Sequence, residues 1–180
     1  MCFSEYTEIV YFTSMKTLYL IRHAKSSWAI DGIEDRDRPL KGRGIRDAHL
    51  VSQYLRDETI SADYFSIYSS PATRALHTAL IFAKNLGVPA SKVAIDDDLY
   101  HSSAHEILEV VKKTSDICDA AMYFVHNPGI TDFVNEMTNA SVRNVPTTGV
   151  ICVRFDCEHW SEVGPVAELI QFEYPKRIKE

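Results

Sequence analysis

Short apolar runs separated by longer amphipathic stretches set the pattern of this chain. Each run is bounded by polar or turn-forming residues, as in the buried strands of a parallel sheet. The predicted strands cover 17–21, 64–68, 93–95, 120–125, 149–155 and 166–172. Between them, apolar positions such as Ile45, Ala48 and Val51 recur at the spacing of a helical face. The predicted helices cover 40–56, 71–86 and 103–113, and a fourth opens at 126–128.

The helix ends carry residues that favour those positions. Ser70 can cap the second helix, with Pro71 as its first residue and Gly87 just past its end. Ser103 and Glu106 have the spacing of a capping box for the third helix.

The order of these elements predicts the fold class. Strands that alternate with helices predict an α/β fold, here a three-layer sandwich with a mostly parallel central sheet flanked by helices. The last two strands are joined by a short turn region around 160–164, so we expect an antiparallel strand pair at the C-terminal end. We found no linker or repeat, and residues 15–180 are therefore predicted to form a single domain.

Residues 1–14 are treated as an N-terminal extension, with two interpretations left open. Met15 opens the first predicted strand, so translation could begin there and the preceding residues would not belong to the fold. Alternatively, residues 9–12 have high β propensity and could add an edge strand.

Composition narrows the function classes. The formal net charge is -6, which gives no indication of a nucleic-acid partner. No stretch approaches the length of apolar residues that spans a membrane, and the first residues lack a signal peptide's positive region. The four cysteines show neither CxxC nor metal-ligand spacing, which favours a reducing compartment and a cytoplasmic location.

The candidate chemistry lies where strands end and helices begin. Arg22 and His23 follow the first strand, Arg74 lies on the first turn of the second helix, and His126 follows a later strand. Ligands of open α/β sheets bind at this edge. An arginine at the positive end of a helix is unfavourable unless an anion offsets it, so Arg74 indicates anion binding.

These residue types suit a tetrahedral oxyanion such as a phosphoryl group. Guanidinium groups offer forked donors that match phosphate oxygens, and helix N-termini add backbone N–H groups. Because His23 lies beside Arg22, its protonated form is disfavoured and its neutral ring is available as a nucleophile. Neutral imidazole can attack phosphorus and form a phospho-enzyme.

Four motifs in this order resemble the histidine phosphatase superfamily, which has the phosphoglycerate-mutase-like fold, and its short SixA-like phosphohistidine phosphatase branch most closely. They are Leu20-Ile21-Arg22-His23-Ala24-Lys25-Ser26-Ser27-Trp28, Asp37-Arg38-Pro39-Leu40 with Gly42 and Gly44, Ser69-Ser70-Pro71-Ala72-Thr73-Arg74-Ala75, and His126-Asn127-Pro128-Gly129. Two positions depart from the family: Ala24 replaces the usual glycine, and Lys41 replaces a serine or threonine at a helix start.

The resemblance implies roles for individual residues. His23 would be phosphorylated during turnover, and Arg22, Arg74 and His126 would bind the phosphoryl group as the other catalytic residues. We also assign substrate binding to Lys25, Ser26 and Asn127. Positive charge from arginines replaces a metal in this scheme, so neither metal nor cofactor is expected.

The general acid that many superfamily members use is harder to place. They have a glutamate after the third strand, where this chain reads Asp96-Asp97-Asp98-Leu99-Tyr100-His101. Glu106 is explained by its capping box, and Asp98 and His101 are the candidate substitutes. A phosphoramidate needs less help than an alkyl phosphate, because its nitrogen leaving group can be protonated before cleavage.

Three functional hypotheses follow. The first is a metal-independent phosphatase for phosphohistidine, or a related phosphoramidate, carried on a protein. The second is a phosphomonoesterase for a small phosphorylated metabolite, and the third is a phosphate-binding module without catalysis. The first is favoured by the missing acid, and by a chain too short for a lid between Arg74 and His126.

Overall fold

The computed structural model describes residues 15–29, 31–58 and 65–180. In this described part of the chain six strands form one sheet, and their positions follow the predicted apolar runs closely. The strands are β1 (Met15–Arg22), β2 (Phe65–Ser69), β3 (Val93–Ile95), β4 (Ala120–Val125), β5 (Val150–Asp156) and β6 (Glu168–Glu173).

Five helices connect or follow these strands. They are α1 (Gly42–Glu58), α2 (Thr73–Asn85), α3 (Ala104–Val111), α4 (Gly129–Met137) and α5 (Pro175–Ile178). Single turns of 3-10 helix lie at Asp35–Asp37, Ala90–Lys92, Asp97–Leu99 and Trp160–Glu162. Among the described residues, no helix is both long and apolar enough to cross a bilayer.

The sheet has the order β3-β2-β4-β1-β5-β6. The first four strands of this order run parallel, because the helices α1, α2 and α3 after β1, β2 and β3 return the chain to the starting edge. β5 is antiparallel to both β1 and β6, so the last two strands form the expected antiparallel pair. The predicted fold class is confirmed: an α/β fold with a mostly parallel sheet.

The central strand β1 is apolar on both faces because helices cover both sides of the sheet. Leu18 and Leu20 belong to the core shared with α3 and α4. Tyr19 and Ile21 belong to the core shared with α1 and α2. Alternate side chains of a strand point to opposite faces, so one continuous apolar run in the sequence supplies both cores.

The ends of three neighbouring parallel strands are held together beyond the strands themselves. The His23 N–H donates to the Val125 carbonyl at 3.1 Å, which joins the end of β1 to the end of β4. The Ser70 N–H donates to the Phe124 carbonyl at 3.0 Å, which joins the end of β2 to β4. The residues that follow β1, β2 and β4 therefore meet at one edge.

Two local expectations have different outcomes. The capping box of Ser103 and Glu106 is confirmed, with both reciprocal hydrogen bonds formed ahead of α3. The cap assigned to Ser70 is wrong, because α2 begins at Thr73 and Ala72 occupies its N-cap position. The proposed edge strand at 9–12 lies outside the described residues.

Candidate active site

His23 immediately follows β1 and is oriented by its own neighbourhood. Its Nδ1 lies 2.8 Å from the carbonyl oxygen of Ala24. A carbonyl only accepts hydrogen bonds, so Nδ1 carries the ring proton and Nε2 keeps its lone pair. The Arg74 Nε–H donates to this Nε2 at 3.3 Å. The lone pair suited to attack on phosphorus thus faces a guanidinium group.

The electrostatics of this edge keep His23 neutral. Burial lowers its pKa to about 4, and the nearby charges of Arg74, Arg22 and Arg38 act in the same direction, although the hydrogen bond to Ala24 opposes them. At neutral pH the ring is therefore an uncharged imidazole, the form that can act as a nucleophile.

We expect the His23 ring to stay neutral at every pH above about 5, which a proton NMR titration of the histidine Cε1–H resonances measures. His159 is an internal control, since its hydrogen bond to Asp116 raises its pKa above the ordinary value. His159 should titrate first as the pH falls, and His23 should follow only near pH 4. A resonance lost in His23→Ala that titrated near pH 6.5 would contradict this expectation.

His126 follows β4 and lies against His23, with the two ring centroids 5.0 Å apart. Its Nε2 lies 2.8 Å from the hydroxyl of Ser70, which can donate to it. Its Nδ1 is buried without a hydrogen-bond partner in the described part of the chain. Burial lowers the pKa of His126 to about 2, helped by His23 and Arg74. With Ser70 as donor, Nδ1 carries a proton that it can offer to an anion.

Arg22 and Thr148 add two further buried polar atoms. The Arg22 Nη1–H donates to the Val145 carbonyl at 2.7 Å, and its Nε has no partner among the described residues. The Thr148 N–H reaches the carbonyls of Arg22 and His23, while its buried Oγ1 is unpaired in the same described set. Its φ of 61° is strained for a β-branched residue. Unpaired buried donors are costly, and an anion would satisfy them.

Arg74 lies on the first turn of α2, as predicted, and is 3% exposed. Its Nη1–H donates to the main-chain oxygen of Asp35 at 2.5 Å, and its Nη2–H to Asp35 Oδ2 at 2.8 Å. An arginine at the positive end of a helix is stabilised by an anion. The chain supplies one itself, from a loop that gave no such signal.

The loop between β1 and α1 is fastened by Arg38, which is also buried. Its guanidinium donates to Asp35 Oδ1 at 2.6 Å and to Ser26 Oγ at 2.6 Å. The exposed ring of Trp28 stacks on it, 3.2 Å from the guanidinium carbon. Ser26, assigned to substrate binding, is therefore engaged by Arg38 in this structure.

The two other residues assigned to substrate binding also border the edge. The Lys25 side chain is exposed, and its main chain packs so closely on Gly44 of α1 that a Cβ there would clash. Asn127 donates from Nδ2 to Asn144 Oδ1 at 2.8 Å and accepts from Thr131 at 3.0 Å. In this structure Asn127 fastens the loop that precedes β5.

The two candidate acids differ in position. The Asp98 side chain is 68% exposed and pairs with Lys113 at 3.7 Å. His101 lies at the site, with its ring centroid 5.7 Å from that of His126 and its Nε2 3.4 Å from Asp35 Oδ2. Its φ of 56° is uncommon for a residue with a side chain.

Sequence reasoning missed Asp35, Ser70, Tyr100 and Thr148. Tyr100 donates its hydroxyl proton to Asp35 Oδ2 at 2.9 Å. Ser70 had a plausible capping role that concealed its contact with His126. Asp35 and Thr148 lie in irregular segments without periodicity, although Asp35 stands three residues before Arg38, within reach of a local ion pair.

Comparison with known proteins identifies the family. The family model of the histidine phosphatase superfamily (branch 1) matches residues 18–104. An uncharacterized protein of Mycobacterium tuberculosis (strain ATCC 25618 / H37Rv) is 30% identical over 167 residues, which cover 87% of this chain and 100% of that protein. This chain belongs to the histidine phosphatase superfamily. The recognition made from the motifs is confirmed at this level.

Solved structures of the superfamily share the fold. A protein from Agrobacterium tumefaciens, provisionally assigned as the phosphohistidine phosphatase SixA, has a TM-score of 0.72 at 23% identity and covers 89% of this chain and 98% of its own. The protein histidine phosphatase SixA complexed with tungstate has a TM-score of 0.73 at 16% identity, covering 90% of this chain and 99% of its own. At these identities the likeness shows the fold alone.

Proposed function

We propose that this chain is a phosphatase that acts through a covalent phosphohistidine intermediate on His23. The observation that carries the proposal is the orientation of His23. Its Nδ1 proton is held by the Ala24 carbonyl, and its neutral Nε2 faces the Arg74 guanidinium. Arg22, Arg74 and His126 would bind the phosphoryl oxygens and stabilise the charge that develops on them.

The proposed reaction has two steps. In the first, the His23 Nε2 lone pair forms a bond to phosphorus while the bond to the leaving group breaks, and the leaving group takes a proton from solvent. In the second, water attacks the phospho-enzyme and gives one proton back to solvent, the bond between phosphorus and Nε2 breaks, and inorganic phosphate is released. Two displacements replace one more difficult displacement.

The favoured substrate is phosphohistidine, or a related phosphoramidate, on a protein. Residues 96–101 contain no glutamate where the family usually has one, and the Asp35 carboxylate is already bound by Arg38, Arg74 and Tyr100. The protein histidine phosphatase SixA, complexed with tungstate, has the same fold, which is compatible with this class. The proposed partner is a phosphorylated protein in the cytoplasm. Binding to nucleic acid or to a membrane is not part of the proposal.

A small phosphate ester is the second candidate, and the position of His101 favours it. The His101 ring lies near His126, where it could donate a proton to an alkoxide leaving group, the help that phosphate monoesters require.

The two candidates differ in their expected substrate preference. For the first, kcat/KM on phosphohistidine protein or a small phosphoramidate should exceed that on alkyl phosphates by at least about 10²-fold, the low end of what general acid catalysis contributes. Activated aryl phosphates should also react, because their leaving groups need little protonation. Steady-state kinetics on the three substrate classes measures the ratio.

His101→Ala makes this comparison sharper. His101→Ala and Asp98→Asn should each lower the phosphoramidate rate only modestly. Equal efficiency on a sugar phosphate, with a large loss in His101→Ala, would make the phosphomonoesterase the better description.

Metal independence is a further expectation. Within the described ranges, no group of three or more His, Cys, Asp or Glu side chains could hold a metal ion, and arginines can provide the positive charge. Activity should survive EDTA, while vanadate or tungstate should inhibit as mimics of the transition state. Loss of activity on chelation that added Mg²⁺ restored would contradict the proposed mechanism.

A further inference from the structure

Asp35 joins three segments of the chain at the candidate site. It lies on the 3-10 turn between β1 and α1, and its side chain is 36% exposed. Its partners come from its own loop, from α2 and from the segment that follows β3. None of the four motifs that identified the superfamily contains it.

The contacts of Asp35 are short and use both carboxylate oxygens. Oδ1 accepts from Arg38 at 2.6 Å. Oδ2 accepts from Arg74 at 2.8 Å and from Tyr100 at 2.9 Å. Hydrogen bonds from these groups outweigh burial, which alone would raise the pKa, and hold the pKa of Asp35 well below its ordinary value. The carboxylate is therefore charged at neutral pH.

The geometry of Arg74 shows what this carboxylate does. A guanidinium group has an end edge, formed by Nη1 and Nη2, and a side edge, formed by Nε and Nη2. Asp35 takes the end edge, through its main-chain oxygen and Oδ2. The side edge is left facing His23, with Nε 3.3 Å from Nε2. Each Nη carries two protons, so Nη2 can serve both edges.

We propose that Asp35 is a positioning residue, which fixes the Arg74 guanidinium so that its side edge meets the phosphoryl group on His23. The inference rests on the proposed function and adds a residue to it. Without Asp35 the Arg74 side chain could adopt several rotamers. N–H donors that are misplaced stabilise a transition state much less than donors that are correctly oriented.

The competing interpretation is a gate. In that case the Asp35 carboxylate takes the place of the phosphoryl group on Arg74 and must leave before substrate binds. The two interpretations predict opposite changes in anion affinity and in turnover when the Asp35 carboxylate is removed. Removing a negative charge from the site favours anions on electrostatic grounds alone, so a gate predicts tighter binding and faster turnover. A positioning residue predicts weaker binding and slower turnover.

The experiment compares Asp35→Asn and Asp35→Ala with Asp37→Asn and Asp37→Ala. Asp37 is the matched control, an exposed carboxylate on the same turn. Tungstate binding, measured by calorimetry, should weaken about tenfold in Asp35→Ala, and kcat should fall more than KM rises. Asp35→Asn keeps the shape and should lie between Asp35→Ala and wild type. Because Arg38 and Arg74 lose a partner in the Asp35 variants, circular dichroism is needed to check that each variant is folded.

Added acetate provides a readout that a merely structural role would not move. It should partly restore kcat in folded Asp35→Ala by replacing the missing carboxylate, and should not do so in Asp37→Ala. Unchanged or tighter tungstate binding in both Asp35 variants, or inhibition by acetate where rescue is expected, would overturn the proposal. Tungstate binding does not depend on turnover. A wild-type protein that binds tungstate but never forms a phospho-enzyme would therefore refute the proposed function separately.

Discussion

Turnover should be abolished in His23→Ala while the fold is retained. The neutral Nε2 of His23 is the nucleophile in the proposed mechanism, and alanine cannot form the bond to phosphorus. Removing a nucleophile of this kind costs several orders of magnitude in rate, on the order of 10⁴-fold or more, because only binding and charge stabilisation remain. Rapid-quench trapping with a labelled phosphoramidate measures both the rate and the covalent intermediate.

The label gives this test its specificity. Wild type should yield a phospho-enzyme that is labile to acid and stable to base, as phosphohistidine is, and His23→Ala should yield none. His159→Ala is the matched control, because His159 is an exposed histidine paired with Asp116 outside the site. Substantial activity in folded His23→Ala would rule out the covalent mechanism on this residue.

Arg74→Lys should lower kcat/KM by at least about 10²-fold, comparable with the loss of one oxyanion donor. Lysine keeps the positive charge but places it at one point, without the two edges of a guanidinium group. Its single ammonium nitrogen cannot reproduce the separate edges of Arg74 that meet Asp35 and the phosphoryl group on His23. The loss should therefore come from geometry rather than from net charge, and it should appear in kcat as well as in tungstate affinity.

A matched substitution separates this effect from a general sensitivity to arginine loss. Arg154 on β5 also pairs with a carboxylate, Glu168 at 2.6 Å, but lies outside the site. Arg154→Lys should leave kcat/KM within about twofold of wild type, since surface ion pairs contribute little. Near-normal kcat in Arg74→Lys, together with a large fall in melting temperature, would make Arg74 a structural residue.

The strands were predictable because their signal is local. Runs such as 120–125 are apolar without interruption, and β4 has those bounds in the structure. Parallel strands then place the residues after each strand at one edge, so the meeting of His23, Arg74 and His126 followed from topology. Pocket chemistry that depends on strand ends can thus be found from sequence alone.

The loop residues were not predictable in the same way. Asp35 binds Arg74 across 39 positions and Tyr100 across 65, and no periodicity links residues so far apart. Asp98 and His101 lie three positions apart in one segment, yet the backbone turns only His101 toward Asp35, at a positive φ. For Ser70, a local explanation as a helix cap competed with its actual contact to His126.

The division between strand ends and loops has a consequence for how this protein could change its substrate. The proposed nucleophile and His126 are anchored to β1 and β4, in the middle of the sheet, where any shift would disturb both cores. Tyr100 and His101 belong to the surface connection that follows β3, and such connections tolerate changes in sequence and length far better. Evolution or a designer could therefore change this connection to admit a different leaving group, while Asp35 and the residues that hold the phosphoryl group are inherited unchanged.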